Sequence, residues 1–93
     1  MAKLFYKQGA IKQCSLAARA LGAALEKLPF GNETVIGRGE INRLLGKSEG
    51  RRLKDVLITA VKRYHITRFS DDEGKILVEV LDVKKPLLRV RRV

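Results

Sequence analysis

The chain is poor in the residues that build most active centres. Its single cysteine, Cys14, excludes an internal disulfide and a cysteine-based zinc site. Its single histidine, His65, excludes a histidine metal cluster. Tryptophan is absent and proline occurs twice. No apolar run approaches the roughly 20 residues of a membrane-spanning helix. The opening residues, Met1 to Lys7, lack the apolar stretch of a signal peptide. No phosphate loop, dinucleotide fingerprint or nucleophile elbow is present. These absences lead us to expect a non-enzymatic cytoplasmic protein without cofactor or metal and without a membrane partner.

Acidic residues are also scarce. Lys and Arg number 20 against 10 Asp and Glu, for a net charge of +10 over 93 residues. Apolar residues make up 45% of the chain, enough for one modest core. The excess therefore belongs to a surface and points to a polyanionic partner. It is uneven. Residues 34–66 carry eight basic and three acidic groups, the densest third. The last third is split between an acidic run, Asp71-Asp72-Glu73, and basic pairs at Lys84-Lys85 and Arg91-Arg92.

Periodicity predicts the elements. A helix is expected from Gly9 or Ser15 to Leu28, with Ser15 as a candidate N-cap. Leu16, Ala17, Ala20, Leu21, Ala24, Leu25 and Leu28 share its apolar face, with Gly22 opposite. Thr34–Ile36 reads as a short strand. Arg38–Leu45 reads as a second helix, closed by Gly46. Ser48 is expected to cap a third helix running to Tyr64 or His65, with Leu53, Val56, Leu57 and Ala60 inward. A hairpin follows, from Ile66–Phe69 to Lys75–Leu81, with Gly74 in a turn of Asp71-Asp72-Glu73-Gly74. Leu88 to Arg91 alternates and reads as a late strand or an extended arm. The expected division is an N-terminal arm or short strand over 1–8, a domain over 9–82 and a basic C-terminal arm over 83–93.

The stretch Gly39-Glu40-Ile41-x-x-x-Leu45-Gly46-x-Ser48, followed by a basic helix and a hairpin, resembles the winged helix-turn-helix superfamily of bacterial and phage regulators. The resemblance spans about residues 34–81. It departs from the family pattern at Asn42, where a small residue is common, at Gly50 within the helix start, and at His65, where glycine is common. It implies an α+β fold of three helices, a short strand and a β-hairpin wing. It also implies duplex-DNA binding by a small transcriptional regulator, with the third helix in the major groove.

On that reading Arg51 suits guanine, Ile58 a thymine methyl, and Asp55 a cytosine amine or a neighbouring arginine. Lys54, Lys62 and Arg63 suit phosphates, with Arg52 at the edge of the face. Arg68 and Lys75, beneath the hairpin tip, are further phosphate candidates. Arg89, Arg91 and Arg92 suit phosphates or a minor groove if the tail is an arm. The acidic hairpin tip is expected to be repelled by DNA. An RNA partner in a ribonucleoprotein is one alternative. Another is a phage-type protein that inhibits a host nucleic-acid machine through Asp71–Glu73. A homodimer is expected to pair through the N-terminal segment or Leu88–Val93. Cys14 is expected to be packing rather than a nucleophile.

Overall fold

The computed structural model describes residues 7–26 and 33–93. Three helices and a four-stranded antiparallel sheet form a small α+β domain. In chain order these are α1 (Lys7–Leu25), β1 (Glu33–Gly37), α2 (Arg38–Leu45), α3 (Lys47–Tyr64), β2 (Arg68–Ser70), β3 (Ile76–Asp82) and β4 (Leu87–Arg92). The expected residues 1–6 of the arm and Leu28 lie outside the described residues.

Helix α1 starts earlier than its apolar pattern suggested and is turned accordingly. Ala10, Cys14, Ala18, Leu21 and Leu25 are its buried residues. Their spacing of three and four marks one stripe. Leu16 is 48% exposed. Ser15 lies inside the helix and caps nothing. Gly22, expected on the far side, is buried, and a Cβ there would meet Ile76 Cγ1 at 2.5 Å. The reason is steric. Alanine, cysteine and glycine let α1 settle close to the sheet, so the smallest residues face inward and a leucine is left outside.

Helices α2 and α3 are separated by Gly46 alone. Its φ of 90° is left-handed territory that favours glycine. Its N–H donates to Asn42 O at 2.8 Å, and its carbonyl accepts from Gly50 N–H at 2.8 Å. Ser48 therefore falls in the first turn of α3 rather than at its cap, and the cap position, Gly46, offers no side chain. Upstream, Gly37 N–H donates to Glu40 Oε2 at 3.3 Å, which ties the end of β1 to the first turn of α2. Helix α3 buries Leu53, Val56, Leu57 and Ala60, as its spacing predicts. It ends at His65, which takes the left-handed conformation (φ 57°) usually given to glycine.

The sheet order is β1-β4-β3-β2. The C-terminal segment is thus not an arm. Residues 87–92 form β4, paired with β1 on one side and β3 on the other. Leu88 and Val90 are buried at 0% and 3% exposure, and Arg89 and Arg91 point to the opposite face. Alternation decides this outcome, because Leu88 and Val90 complete the apolar face begun by Ile36, Ile76 and Val78. That face packs on Leu21, Leu25, Ile41, Leu53 and Leu57 from the helices. Cys14, Val56 and Ala60 form a second buried cluster joined by Phe69.

Two hairpins result, and they point in opposite directions. The β2–β3 turn is organised by Asp71, whose Oδ1 accepts Lys75 N–H at 2.8 Å and Ile76 N–H at 3.1 Å. The β3–β4 turn is organised by Asp82, whose Oδ1 accepts Lys84 N–H at 2.8 Å and Lys85 N–H at 3.0 Å. These amide hydrogen bonds, Lys85 first and then Lys84, hold the Asp82 carboxyl below its ordinary 3.8. Seven residues of β3 separate the two turns, about 20 Å at the usual rise of a strand.

Candidate nucleic-acid interface

Among the described residues, cations that pair with a carboxylate are separated in space from a cluster of four that do not. The distinction follows from topology. On the outer face of the sheet, cross-strand register sets Arg68 opposite Glu79 and Glu79 opposite Arg89. Arg68 Nε lies 3.4 Å from Glu79 Oε2. Arg89 Nη1 lies 2.9 Å from Glu79 Oε1, and its Nε 3.9 Å from Glu33 Oε1. At the acidic turn, Lys75 Nζ pairs with Glu73 Oε2 at 3.0 Å, which raises the lysine pKa.

Four cations outside these pairs surround a cleft of about 190 Å³ between α2, the first two turns of α3 and the β3–β4 turn. Arg38 enters from α2. Lys47, Arg51 and Lys54 enter from α3, at the spacing that places them on one helical stripe. Asn42, Ile41, Gly50 and Pro86 complete the wall, and no carboxylate lines it. None of the four cations takes part in the ion pairs of the described residues. Pro86 brings the Val83–Pro86 turn to the cleft, and with it the exposed Lys84 and Lys85.

This geometry sorts the residues singled out from sequence. Arg51 and Lys54 are brought together in the cleft. Asp55 and Lys62 are exposed farther along α3, and Ile58 is half-buried. Arg52 turns toward α1, where its Nη2 donates to Gln13 Oε1 at 3.4 Å. Arg63 lies with its guanidinium 5.8 Å from the Tyr64 ring centroid. Arg68, Lys75 and Arg89 are already charge-compensated. Arg91 and Arg92 are exposed on β4, which runs away from Pro86 and from the cleft.

Sequence reasoning missed Arg38, Asn42, Lys47 and the Lys84-Lys85 turn as parts of the site. Lys47 was legible, since it lies four and seven residues before Arg51 and Lys54. Arg38 and the turn were not, because only the β1–β4 pairing of Gly37 with Leu87 carries residues 84–86 to the start of α2.

Cys14 is fully buried, and burial pushes its thiol up from 9.0 to about 11. No group of three or more metal-ligating side chains occurs among the described residues. Among them, no helix is long and apolar enough to cross a membrane. The chain matches no protein-family model, no curated protein and no solved structure.

Proposed function

We propose that this protein binds duplex DNA through the α2–α3 cleft, in the manner of a winged helix-turn-helix regulator. One observation carries the reading: Arg38, Lys47, Arg51 and Lys54 converge without a carboxylate, whereas Arg68, Arg89 and Lys75, on the sheet and the acidic turn, are paired. Four uncompensated cations in one place make a site for phosphate oxygens, and displacing counterions from DNA supplies the affinity. The β3–β4 turn acts as the wing. It is the hairpin beside α3, and its tip carries Lys84 and Lys85. The acidic tip lies at the other end of β3, which removes the repulsion that Asp71, Asp72 and Glu73 would impose on a docked duplex.

Roles follow from side-chain chemistry. Lys47, Lys54 and Arg38 hold phosphates, as point charges or a fork. Arg51, exposed on the same stripe, has the planar guanidinium that reads guanine O6 and N7. Asp55 and Ile58, one turn on, face the same groove at its edge. At the acidic tip, where the alternative reading places contact with a host protein, two of the three carboxylates have partners within the chain. The Asp71 carboxylate is consumed in its own turn and Glu73 pairs with Lys75.

The test is a titration of the protein against duplex DNA across a salt series, with structured RNA of equal length as competitor. The expected result is preference for the duplex. The logarithm of affinity should fall with log salt at a slope of about −4.5, from phosphate contacts by Arg38, Lys47, Lys54, Lys84 and Lys85. An Arg51→Ala/Lys54→Ala variant that binds as tightly as the parent would overturn the reading, and preferential capture of RNA would replace DNA as the partner.

A further inference from the structure

We infer that the cleft between α2 and α3 is also a site for a small soluble diphosphate, either the inorganic ion or the diphosphate end of an ester. This ligand competes with a duplex for the same cations, and that consequence alone rests on the duplex-binding reading.

Charge singles out this cleft. The depression on the outer sheet face holds Glu33 and Glu79, the hollow between α1 and β2 holds Asp71 and Asp72, and the groove between α1 and α3 holds Glu49. Each of these carboxylates repels an anion. Among the described residues, no carboxylate lines the α2–α3 cleft, and Arg38, Lys47, Arg51 and Lys54 approach it from two helices. None of the four belongs to the ion pairs of the described residues, so a ligand breaks none of those pairs on entering.

Size decides between a diphosphate and a duplex phosphate as the occupant of the recess. The cleft of about 190 Å³ has the room of about six waters at about 30 Å³ each. Covalently linked phosphoryl groups are spaced more closely than separate waters, and two of them fill such a recess. A duplex cannot fold its phosphates into it. It carries them along a stiff backbone, one charge per about 3.4 Å of axis on each strand.

Charge density agrees. A phosphodiester carries one negative charge, whereas a terminal phosphoryl group carries about 1.5 to 2 near pH 7, so a diphosphate brings about 3 into the same space. That nearly balances the four cations of the cleft, where a single diester leaves three unanswered. The guanidinium groups of Arg38 and Arg51 suit pairs of phosphoryl oxygens. The flexible stems of Lys47 and Lys54 serve either ligand, outward to a backbone at the mouth or inward to a diphosphate. Asn42 adds a neutral amide to the wall as a further hydrogen-bond donor. A bound diphosphate therefore takes the cations that a duplex needs, and releases it.

Calorimetric titration of the full chain with inorganic pyrophosphate tests this, at fixed ionic strength and without nucleic acid or divalent cations. The expected result is one saturable site per chain, with orthophosphate at least about tenfold weaker. Amide shifts on addition should centre on Asn42, Lys47, Gly50 and Arg51. Lys47→Ala/Lys54→Ala should weaken pyrophosphate binding at least about tenfold, through the loss of two charge-assisted contacts. Arg68→Ala/Lys75→Ala removes the same formal charge from paired groups and should leave it unchanged. Pyrophosphate should also displace a labelled duplex where sodium chloride of equal ionic strength does not. No saturable site, shifts centred elsewhere, equal losses in the two variants, or a duplex that stays bound at saturating pyrophosphate overturns the inference. The nucleic-acid-free titration separates the two readings. Duplex binding without a pyrophosphate site overturns this inference alone, and a pyrophosphate site without duplex binding overturns the duplex reading alone.

Discussion

The side chain of Asn42 occupies the space in which a Cβ on Gly50 would stand. A methyl built there overlaps Asn42 Oδ1 and lies 3.2 Å from Asn42 Cγ. These are two of the positions at which the chain departs from the regulator pattern, and they fit one another. A larger residue on α2 is accommodated by the smallest residue on α3, and both line the basic cleft.

That fit makes an opposing pair of forces measurable. Alanine is favoured over glycine within a helix by about 1 kcal/mol, yet overpacking a tight contact costs about 1–3 kcal/mol. Gly50→Ala should therefore destabilise the domain in urea unfolding. Gly50→Ala combined with Asn42→Ala should regain stability and exceed Asn42→Ala alone by roughly the helix-propensity term. Additive effects in this double-mutant cycle would refute the contact.

The division of cations makes a directional prediction for binding. Lys84→Ala/Lys85→Ala should weaken duplex binding and flatten its salt slope by about 2, one unit for each phosphate contact removed. Arg68→Ala/Lys75→Ala removes the same formal charge from groups that are already paired. That variant should leave the slope unchanged. Equal losses in the two variants would mean that bulk charge, not the cleft, governs binding.

Asp82 should make the β3–β4 turn acid-sensitive. Its folded pKa is depressed, so its contribution is present above the ordinary 3.8 and is lost as pH falls through the lower folded value. Asp82→Ala should lower the unfolding midpoint near neutral pH, with a difference that shrinks as pH falls below the ordinary 3.8. Asp82→Asn keeps a carbonyl acceptor for Lys84 and Lys85 and should lie between the two. Thermal unfolding across pH reads both.

Cys14 should behave as a buried apolar group. Its thiol should resist alkylation at pH 8 unless the chain is unfolded, because burial holds it protonated to about 11. Its folded pKa is raised, so stability should decline as pH climbs from about 9 toward about 11, where only the unfolded thiol ionises readily. Cys14→Ser buries a hydroxyl in a cluster with Val56 and Ala60 and should cost about 1–3 kcal/mol. Cys14→Ala should cost less, having no polar atom to desolvate.

Much of the helical frame was legible because its signals are local. The apolar spacing of α3 places Leu53, Val56, Leu57 and Ala60 inward without reference to any other element. Arg38–Leu45 is bounded by glycines at both ends, and the α2 range agrees with expectation. Arg51 and Lys54 share a stripe for the same reason. Helix α1 was misread at its start. Alanine and cysteine carry little hydrophobic signal, yet close packing chose Ala10, Cys14, Ala18 and Gly22 for the buried side.

By itself the sequence determined how much charge there is, which residues lie inward on α3, and where glycine and aspartate allow the chain to turn. It could not determine the fate of residues 83–93. A strand of six residues has no hydrogen-bonding partner within itself, so its place depends on which edges remain open once the helices pack. Tertiary structure decided that β4 enters between β1 and β3. That one insertion turns Arg89 toward Glu79 and Glu33, sends the acidic turn to the far end of the sheet, and brings Pro86 to the side of Arg38, Lys47, Arg51 and Lys54. The charge belongs to the sequence; its division into compensated and uncompensated groups belongs to the fold.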